Sequence, residues 1–149
     1  MIFKGYISSR RLLDGSLSQQ KVQNLVIRDA CTRKGYDYRL SFTEYGMKDC
    51  FINYNEMLAD IKNNKYDGIA FYSLAQLPKK KFERNKLYEI VKLKKMILFS
   101  LEDILVNNKK ELSNTLSYLI ESMIELSNEL DELEWIFFGQ KKISIIKFC

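Results

Sequence analysis

The chain has 149 residues, of which 46% are hydrophobic and 29% are charged. This length suits one compact domain over residues 1–149 and excludes a second. The absence of histidine excludes histidine-based triads and imidazole metal ligands, and we expect neither a metal nor a cofactor. The three cysteines form no CxxC pair, which favours a cytoplasmic protein with reduced thiols. No apolar run approaches the roughly 18 residues that a membrane span needs, so membrane insertion is not expected.

The net charge of +5 is unevenly distributed along the chain. Residues 1–50 carry nine basic and five acidic side chains, residues 51–100 carry ten and five, and residues 101–149 carry five and nine. The first two thirds are therefore basic and the last third is acidic. This asymmetry favours an anionic ligand on the first two thirds and an acidic helix at the end of the chain.

The first strand and helix are predicted from residues 2–35. An apolar and aromatic run at 2–7 predicts a strand, and the polar segment 11–18 predicts a loop. Ser16 and Gln19 have the spacing of a capping box, so a helix should begin there and end before Gly35. The apolar residues that recur at helical spacing in this helix are Val22, Leu25, Val26 and Ala30.

The middle of the chain continues the alternation of strands and helices. Strands are predicted at 38–43, 67–74 and 96–101, and helices at 56–63 and 80–93. The expected inward-facing residues are Met57, Leu58 and Ile61 in the first of these helices, and Phe82, Leu87, Tyr88 and Val91 in the second. This order predicts an α/β fold, a doubly wound parallel sheet of about four strands with flanking helices.

The last third is dominated by a predicted long amphipathic helix at 110–134. Its apolar stripe has a heptad period and consists of Leu112, Leu116, Leu119, Met123, Leu126, Leu130 and Leu133. Such a stripe pairs with another helix, which predicts a homodimer through 110–134, or it covers one face of the sheet. The tail at 135–149 fits a terminal hairpin or an added edge strand.

Several of these segments resemble the sporadic carbohydrate cluster proteins, small bacterial proteins encoded among genes for surface polysaccharide synthesis. The segments that carry the resemblance are 5–10, 22–29, 43–47 with Cys50, 68–74 with Leu77 and Pro78, and 101–103. The match covers about the first 105 residues in consistent order. It implies a setting in carbohydrate biosynthesis and no specific reaction.

A more distant resemblance is to the catalytic domain of serine recombinases. That family shares the first strand, the loop with Ser and Arg, the helix that bears a Gln, and the final long helix. The position of its nucleophile holds Arg10 here, with Ser8 and Ser9 displaced. Its Asp-Arg pair falls near Ala75 and Gln76. The resemblance implies a resolvase-like fold without the recombinase chemistry, and the acidic final helix makes nucleic acid an unexpected partner.

A candidate ligand site lies at the carboxyl ends of the predicted strands, because ligands of open α/β sheets bind there. Arg10 with Ser8 or Ser9 is suited to a phosphate or carboxylate, although a simple turn explains the same residues. The predicted ligand-binding set consists of Ser8, Ser9, Arg10, Gln23, Glu44, Tyr45 and Ser73.

Three further features have both a chemical and a structural interpretation. Glu44 and Glu102 are candidates for a general base and acid, or are carboxylates that cap helices and accept hydrogen bonds. Cys50 is a candidate nucleophile, although without a histidine a buried structural thiol is favoured. The basic run 79–81 guides an anionic ligand or is a solvated helix start.

These observations predict a small protein of surface carbohydrate biosynthesis that binds an anionic sugar or a sugar nucleotide. The alternative is a module without catalytic activity that binds or organises enzymes of such a pathway. The third hypothesis is a degenerate protein, similar to serine recombinases, that acts on DNA.

Overall fold

The computed structural model describes the backbone of residues 1–44 and 50–138, and their side chains except those of 40–42, 118–119, 122 and 134–138. Its five strands are β1 (Ile2–Ser8), β2 (Asp37–Glu44), β3 (Gly68–Phe71), β4 (Met96–Phe99) and β5 (Ile104–Val106). They form one sheet in the order β2-β1-β3-β4-β5, in which the first four strands are parallel and β5 is antiparallel to β4. The predicted doubly wound α/β fold is confirmed, and β5 is an addition that the sequence did not indicate.

The helices are α1 (Gln20–Arg33), α2 (Ile52–Lys62), α3 (Lys81–Asn85), α4 (Leu87–Lys92), α5 (Lys109–Thr115) and α6 (Glu121–Phe138). A short 3-10 turn at Leu74–Gln76 follows β3, and a π-helical segment at Leu116–Ile120 joins α5 to α6. The chain crosses from β2 over β1 to β3, so the strand order reverses between β1 and β3. In this class of fold the carboxyl end of that crevice is the usual ligand site.

The sheet has an apolar core on each face. One core joins Tyr6 and Phe71 to the apolar sides of α2, α4, α5 and the π-helical segment. The other core packs Phe3 and Ile7 against α1. All four residues of β3 are buried, which confirms the prediction of a central strand covered on both faces.

The interior face of α1 differs from the predicted one. Its buried residues are Gln23, Ile27, Ala30 and Cys31, whereas 42% of Val22 and 53% of Leu25 are exposed. The predicted capping box is also wrong, because α1 begins at Gln20 without a side-chain cap and Ser16 hydrogen-bonds Asp14. The buried face of α1 therefore includes the polar residue Gln23 and excludes the apolar residues Val22 and Leu25.

The predicted helix at 80–93 is two short helices, α3 and α4, joined at Lys86. Leu87 and Val91 are buried as predicted, and Tyr88 is half-buried. Phe82 is 73% exposed, so its assignment to the apolar side is wrong. Separating α3 from α4 breaks the single helical period on which that assignment depended.

The predicted long helix is continuous in the chain but not uniform. Leu112, Leu116 and Ile120 are buried against the core, whereas Leu126 and Leu133 are 41% and 47% exposed. The π-helical segment has more residues per turn than an α-helix, so it rotates the residues after it around the helix axis. The apolar residues before and after this segment therefore do not lie on one continuous stripe. The first part of the stripe covers the sheet, and self-association through 110–134 stays a prediction.

The structure describes only the first four residues of the predicted tail at 135–149. Helix α6 continues to Phe138, so residues 135–138 are helical and not part of a hairpin. Residues 139–149 lie outside the described residues. Within the described part of the chain, no helix is both long and apolar enough to cross a membrane.

Both cysteines within the described residues, Cys31 and Cys50, are buried. Cys31 is a free, buried thiol, and burial raises its pKa to about 11. Cys50 is buried, as the structural interpretation expects, and its reduced state and its role as a nucleophile stay predictions. The cytoplasmic location stays a prediction.

Candidate functional site

The carboxyl ends of β1 and β2 lie side by side at the candidate site. Ser8 pairs with Glu44 in the sheet register, and the Ser9 N–H donates to the Glu44 carbonyl at 3.1 Å. Ser8 and Glu44 are buried, Arg10 is half-buried and Ser9 is exposed. The structure therefore brings these four of the seven predicted ligand-binding residues to one edge. Tyr45, predicted for the same site, lies outside the described residues.

Two glutamine side chains hold the exit of β1 in place. The Ser8 N–H donates to Gln23 Oε1 at 2.9 Å, and Gln23 Nε2 donates back to the Ser8 carbonyl at 2.6 Å. Gln76 Nε2 donates to Gln23 Oε1 at 3.0 Å and to Ser8 Oγ at 3.3 Å. All three residues are at most 2% exposed. Gln23 thus lies beneath the predicted binding surface, where it joins α1 to β1 and to the turn after β3.

Arg10 is held by contacts with its own chain. Its Nη2 donates to the Tyr6 hydroxyl at 2.9 Å, and its Nη1 donates to the Cys50 carbonyl at 3.3 Å. The guanidinium also lies 4.5 Å from the centre of the Phe51 ring, within cation–π range. The Tyr6 hydroxyl donates in turn to Glu44 Oε1 at 3.2 Å. Arg10, Tyr6 and Glu44 therefore form one hydrogen-bonded row.

Glu44 caps helix α2. Its Oε1 accepts from the Tyr54 N–H at 3.0 Å, and its Oε2 accepts from the Asn53 N–H at 3.3 Å. These are amide groups that the first turn of a helix cannot satisfy internally, and a carboxylate there also complements the helix dipole. The structural interpretation of Glu44 accounts for its contacts, and its role as a general base stays a prediction.

Tyr6 is the buried member of this row, and its environment favours the neutral phenol. Burial raises the pKa of Tyr6 well above its usual range, and the nearby Arg10 charge opposes that shift while Glu44 adds to it. Burial likewise raises the pKa of Tyr54, whose ring packs edge-on against Tyr6. The phenol of Tyr6 therefore acts as a hydrogen-bond relay between Arg10 and Glu44.

Glu102 and Ser73 form a second group, at the ends of β3 and β4. Ser73 Oγ donates to Glu102 Oε2 at 2.7 Å, and the Leu74 N–H donates to Glu102 Oε1 at 2.7 Å. Ser73 Oγ also accepts from the Ala75 N–H at 3.1 Å, which caps the 3-10 turn. Glu102 thus accepts from a backbone amide of the turn after β3, whereas Glu44 accepts from backbone amides of α2, and the two carboxylates have separate roles.

The outer rim of the site consists of two loops. The Leu13 N–H donates to the Ala75 carbonyl at 2.7 Å, which joins the loop after β1 to the turn after β3. We name as the basic edge the cationic residues of these two loops, which are Arg10, Arg11, Lys79, Lys80 and Lys81. Lys79 forms an ion pair with Asp131 at 2.7 Å, whereas Lys80 and Lys81 are exposed at the start of α3.

Sequence reasoning missed Gln76, Tyr6 and Asn53 as members of the site. Gln76 is a lone amide within the apolar run 74–77, and such a residue is a sequence signal of a buried hydrogen-bond network. Asn53 Nδ2 donates to the Thr43 carbonyl at 2.5 Å and fastens α2 to β2. Among the described residues, no group of three or more metal-ligating side chains is brought together.

The fold is similar to the solved structures of an integrase catalytic domain and of a site-specific recombinase. The N-terminal catalytic domain of the TP901-1 integrase shares 18% identity over 90% of this chain and 98% of its own, with a TM-score of 0.52. A resolvase family site-specific recombinase from Streptococcus pneumoniae shares 14% identity over 94% of this chain and 99% of its own, with a TM-score of 0.59. No protein-family profile matches the sequence, and no curated protein is a significant sequence match.

These comparisons correct three functional expectations. A role in surface carbohydrate biosynthesis is wrong, since the similar structures are a recombinase and an integrase domain, and no match supports the sporadic carbohydrate cluster family. The expectation that an anionic sugar and the enzymes of such a pathway are its partners is wrong for the same reason. The expectation that nucleic acid is an unlikely partner is also wrong, because site-specific recombination is a reaction of DNA. The distant resemblance to serine recombinases is confirmed at the level of the fold.

Proposed function

We propose that this chain binds duplex DNA through its basic edge and does not cut the strand. The observation that carries the proposal is the likeness to an integrase catalytic domain and to a site-specific recombinase, over 90% and 94% of this chain. The hypothesis of a degenerate protein of the serine recombinase fold, which the sequence raised as an alternative, thereby becomes the main one.

The charge of the rim supports DNA as the ligand. The two rim loops contribute five cationic residues, and the chain from 1 to 100 carries a surplus of basic over acidic side chains. Lys80 and Lys81 are exposed, and Arg11 is exposed on the neighbouring loop. Phosphate contacts from such side chains supply most of the affinity of binding that is independent of sequence. They also require no base-reading element.

The interior of the site supports binding without cleavage. Phosphoryl transfer needs cationic groups aimed at the charge that develops on the reacting phosphate. Arg10, which lies nearest to the strand-end serines, donates to Tyr6 and Cys50 instead. Gln76 is buried and donates to Gln23 and Ser8. The side chains around Ser8 therefore stabilise the fold.

A binding experiment tests the proposal. Fluorescence anisotropy with a labelled duplex of mixed sequence should show binding whose log association constant falls linearly with log salt, by about 0.9 per phosphate neutralised. Replacing Lys80 and Lys81 together with alanine should weaken binding and reduce the slope by about 1 to 2. The matched control replaces Lys92 and Lys94, two exposed lysines near the opposite, amino ends of the strands. No retention of DNA at low salt, or equal losses in both double variants, would contradict the proposal.

Strand cleavage by Ser9 is the second candidate, and its exposure beside Arg10 is the observation that favours it. A supercoiled plasmid assay separates the two candidates. We expect no nicked product from the unmodified protein. Nicking that disappears in Ser9→Ala and persists in Ser8→Ala would replace the binding-only function with strand cleavage.

A further inference from the structure

Helix α6 is the most acidic element of the molecule. Between Glu121 and Phe138 it contains no lysine or arginine. Its acidic residues are Glu121, Glu125, Glu129, Asp131, Glu132 and Glu134. A helix of this charge repels the phosphates of DNA. If α6 lies against the basic edge, it therefore opposes the binding of DNA there.

Two contacts place α6 against the basic edge. Asp131 on α6 pairs with Lys79 at 2.7 Å, and the two side chains are only 34% and 25% exposed. One position earlier, Leu130 Cδ1 lies 2.5 Å from the point where a Cβ would lie on Gly15, in the loop after β1. The same helix therefore contacts both loops of the rim, one through charge and one through apolar packing.

The Lys79 side of this contact is supported from below. The buried Arg84 donates from Nη1 to the carbonyls of Pro78 and Lys79, at 3.1 and 2.5 Å. These bonds fix the backbone of the segment that leads into α3. The Lys79 ammonium is thus positioned towards a carboxylate of its own chain, and while it is paired there it cannot neutralise a phosphate.

We propose that α6 is an internal competitor of DNA, an acidic helix docked on the basic edge that must move away before phosphates bind there. This inference rests on the proposed function and adds a regulatory contact to it. Asp131 supplies the charge that takes the place of a phosphate, and Leu130 supplies the packing that keeps the helix seated. Weakening either contact raises the affinity for DNA.

The test uses two substitutions, each with a matched control, in the full chain. Asp131→Asn removes the paired carboxylate, and its control is Asp60→Asn, a carboxylate paired with Lys65 on α2. Leu130→Ala weakens the docking without a change of charge, and its control is Leu126→Ala on the same helix. Asp131→Asn and Leu130→Ala should each raise the association constant for a mixed-sequence duplex at least about fivefold above their controls, the lower range of measured couplings between sites.

A second measurement follows the helix directly. Amide hydrogen exchange in residues 121–133 should accelerate when duplex DNA is added, because α6 leaves the rim. If both substitutions bind DNA no better than their controls, or if the exchange of α6 is unchanged by DNA, the inference is overturned and the proposed function stands. If neither the unmodified protein nor any variant binds DNA, the proposed function fails and this inference fails with it.

Discussion

The side-chain amide of Gln23 and the peptide group of Ser8 form a two-way hydrogen-bonded pair, with lengths of 2.9 and 2.6 Å. Ser8 pairs with Glu44 of β2 on one side, and Gln23 takes the place of a β3 partner on the other, because β1 pairs with β3 only as far as Tyr6. Because both groups are fully buried, water cannot substitute for either hydrogen bond.

Replacing Gln23 with alanine should therefore destabilise the fold. The change leaves the Ser8 N–H and carbonyl unpaired in the interior, and we expect a loss of about 2–4 kcal/mol in the free energy of unfolding. Urea unfolding followed by circular dichroism measures it. Gln19→Ala, in which an exposed glutamine without a cap bond is replaced, should change stability by less than about 0.5 kcal/mol. Equal losses in the two variants would show that the pair contributes nothing.

The contrast between α1 and β3 shows how far the sequence could predict the fold. The run 69–72 is apolar without alternation, and a strand buried on both faces is its direct consequence. In α1 the apolar pattern selected Val22 and Leu25, but the buried face includes Gln23 because a long-range bond to Ser8 satisfies its amide. Local periodicity carries no information about such a distant partner, so the face was wrong although the helix was right.

The stability of the protein should fall at alkaline pH through Tyr6 and Tyr54. Burial raises the pKa of both phenols in the folded state above the unfolded value of about 10. Above that pH the unfolded chain releases protons that the folded chain keeps, so the free energy of unfolding decreases as pH rises. Below pH 10 this contribution to stability is fully present.

Urea titrations between pH 9 and 11 measure this effect. Each raised tyrosine contributes a slope of up to about 1.4 kcal/mol per pH unit above pH 10. Tyr6→Phe should be less stable at pH 7, because Arg10 and Glu44 lose their bridging hydroxyl, and should show a shallower alkaline slope. Tyr88→Phe, a change at a half-buried tyrosine on α4, controls for the loss of a phenol. An unchanged slope in Tyr6→Phe contradicts the prediction.

Phe82 and Leu87 should respond oppositely to truncation, despite their shared prediction as core residues. Phe82→Ala should cost less than about 0.5 kcal/mol because the ring is 73% exposed. Leu87→Ala should cost about 2–5 kcal/mol because its side chain is fully buried. Differential scanning calorimetry of the two variants checks this. A large loss at Phe82 would mean that α3 packs differently from the arrangement described.

The candidate site was predictable in its location but not in its contacts. Parallel strands end at one edge, so Ser8, Arg10 and Glu44 were expected together, and they are adjacent. Whether Glu44 faces a ligand or the first turn of α2 depends on where α2 begins. The sequence predicted that helix from residue 56, whereas it begins at Ile52, and the earlier start brings its amide groups to the carboxylate.

The contact between Gly15 and Leu130 gives the last prediction. Gly15 has a φ of +85°, and a Cβ there would lie 2.5 Å from Leu130 Cδ1. Gly35 has a φ of +75° with open space around it. Both glycine-to-alanine changes force an L residue into the left-handed region, at about 1–2 kcal/mol. Gly15→Ala should cost about 1–3 kcal/mol more, since Leu130 must also move. Adding Leu130→Ala to Gly15→Ala should recover most of this additional loss in the free energy of unfolding, as a double-mutant cycle by urea unfolding measures. Equal losses in Gly15→Ala and Gly35→Ala would show that α6 does not pack on this loop.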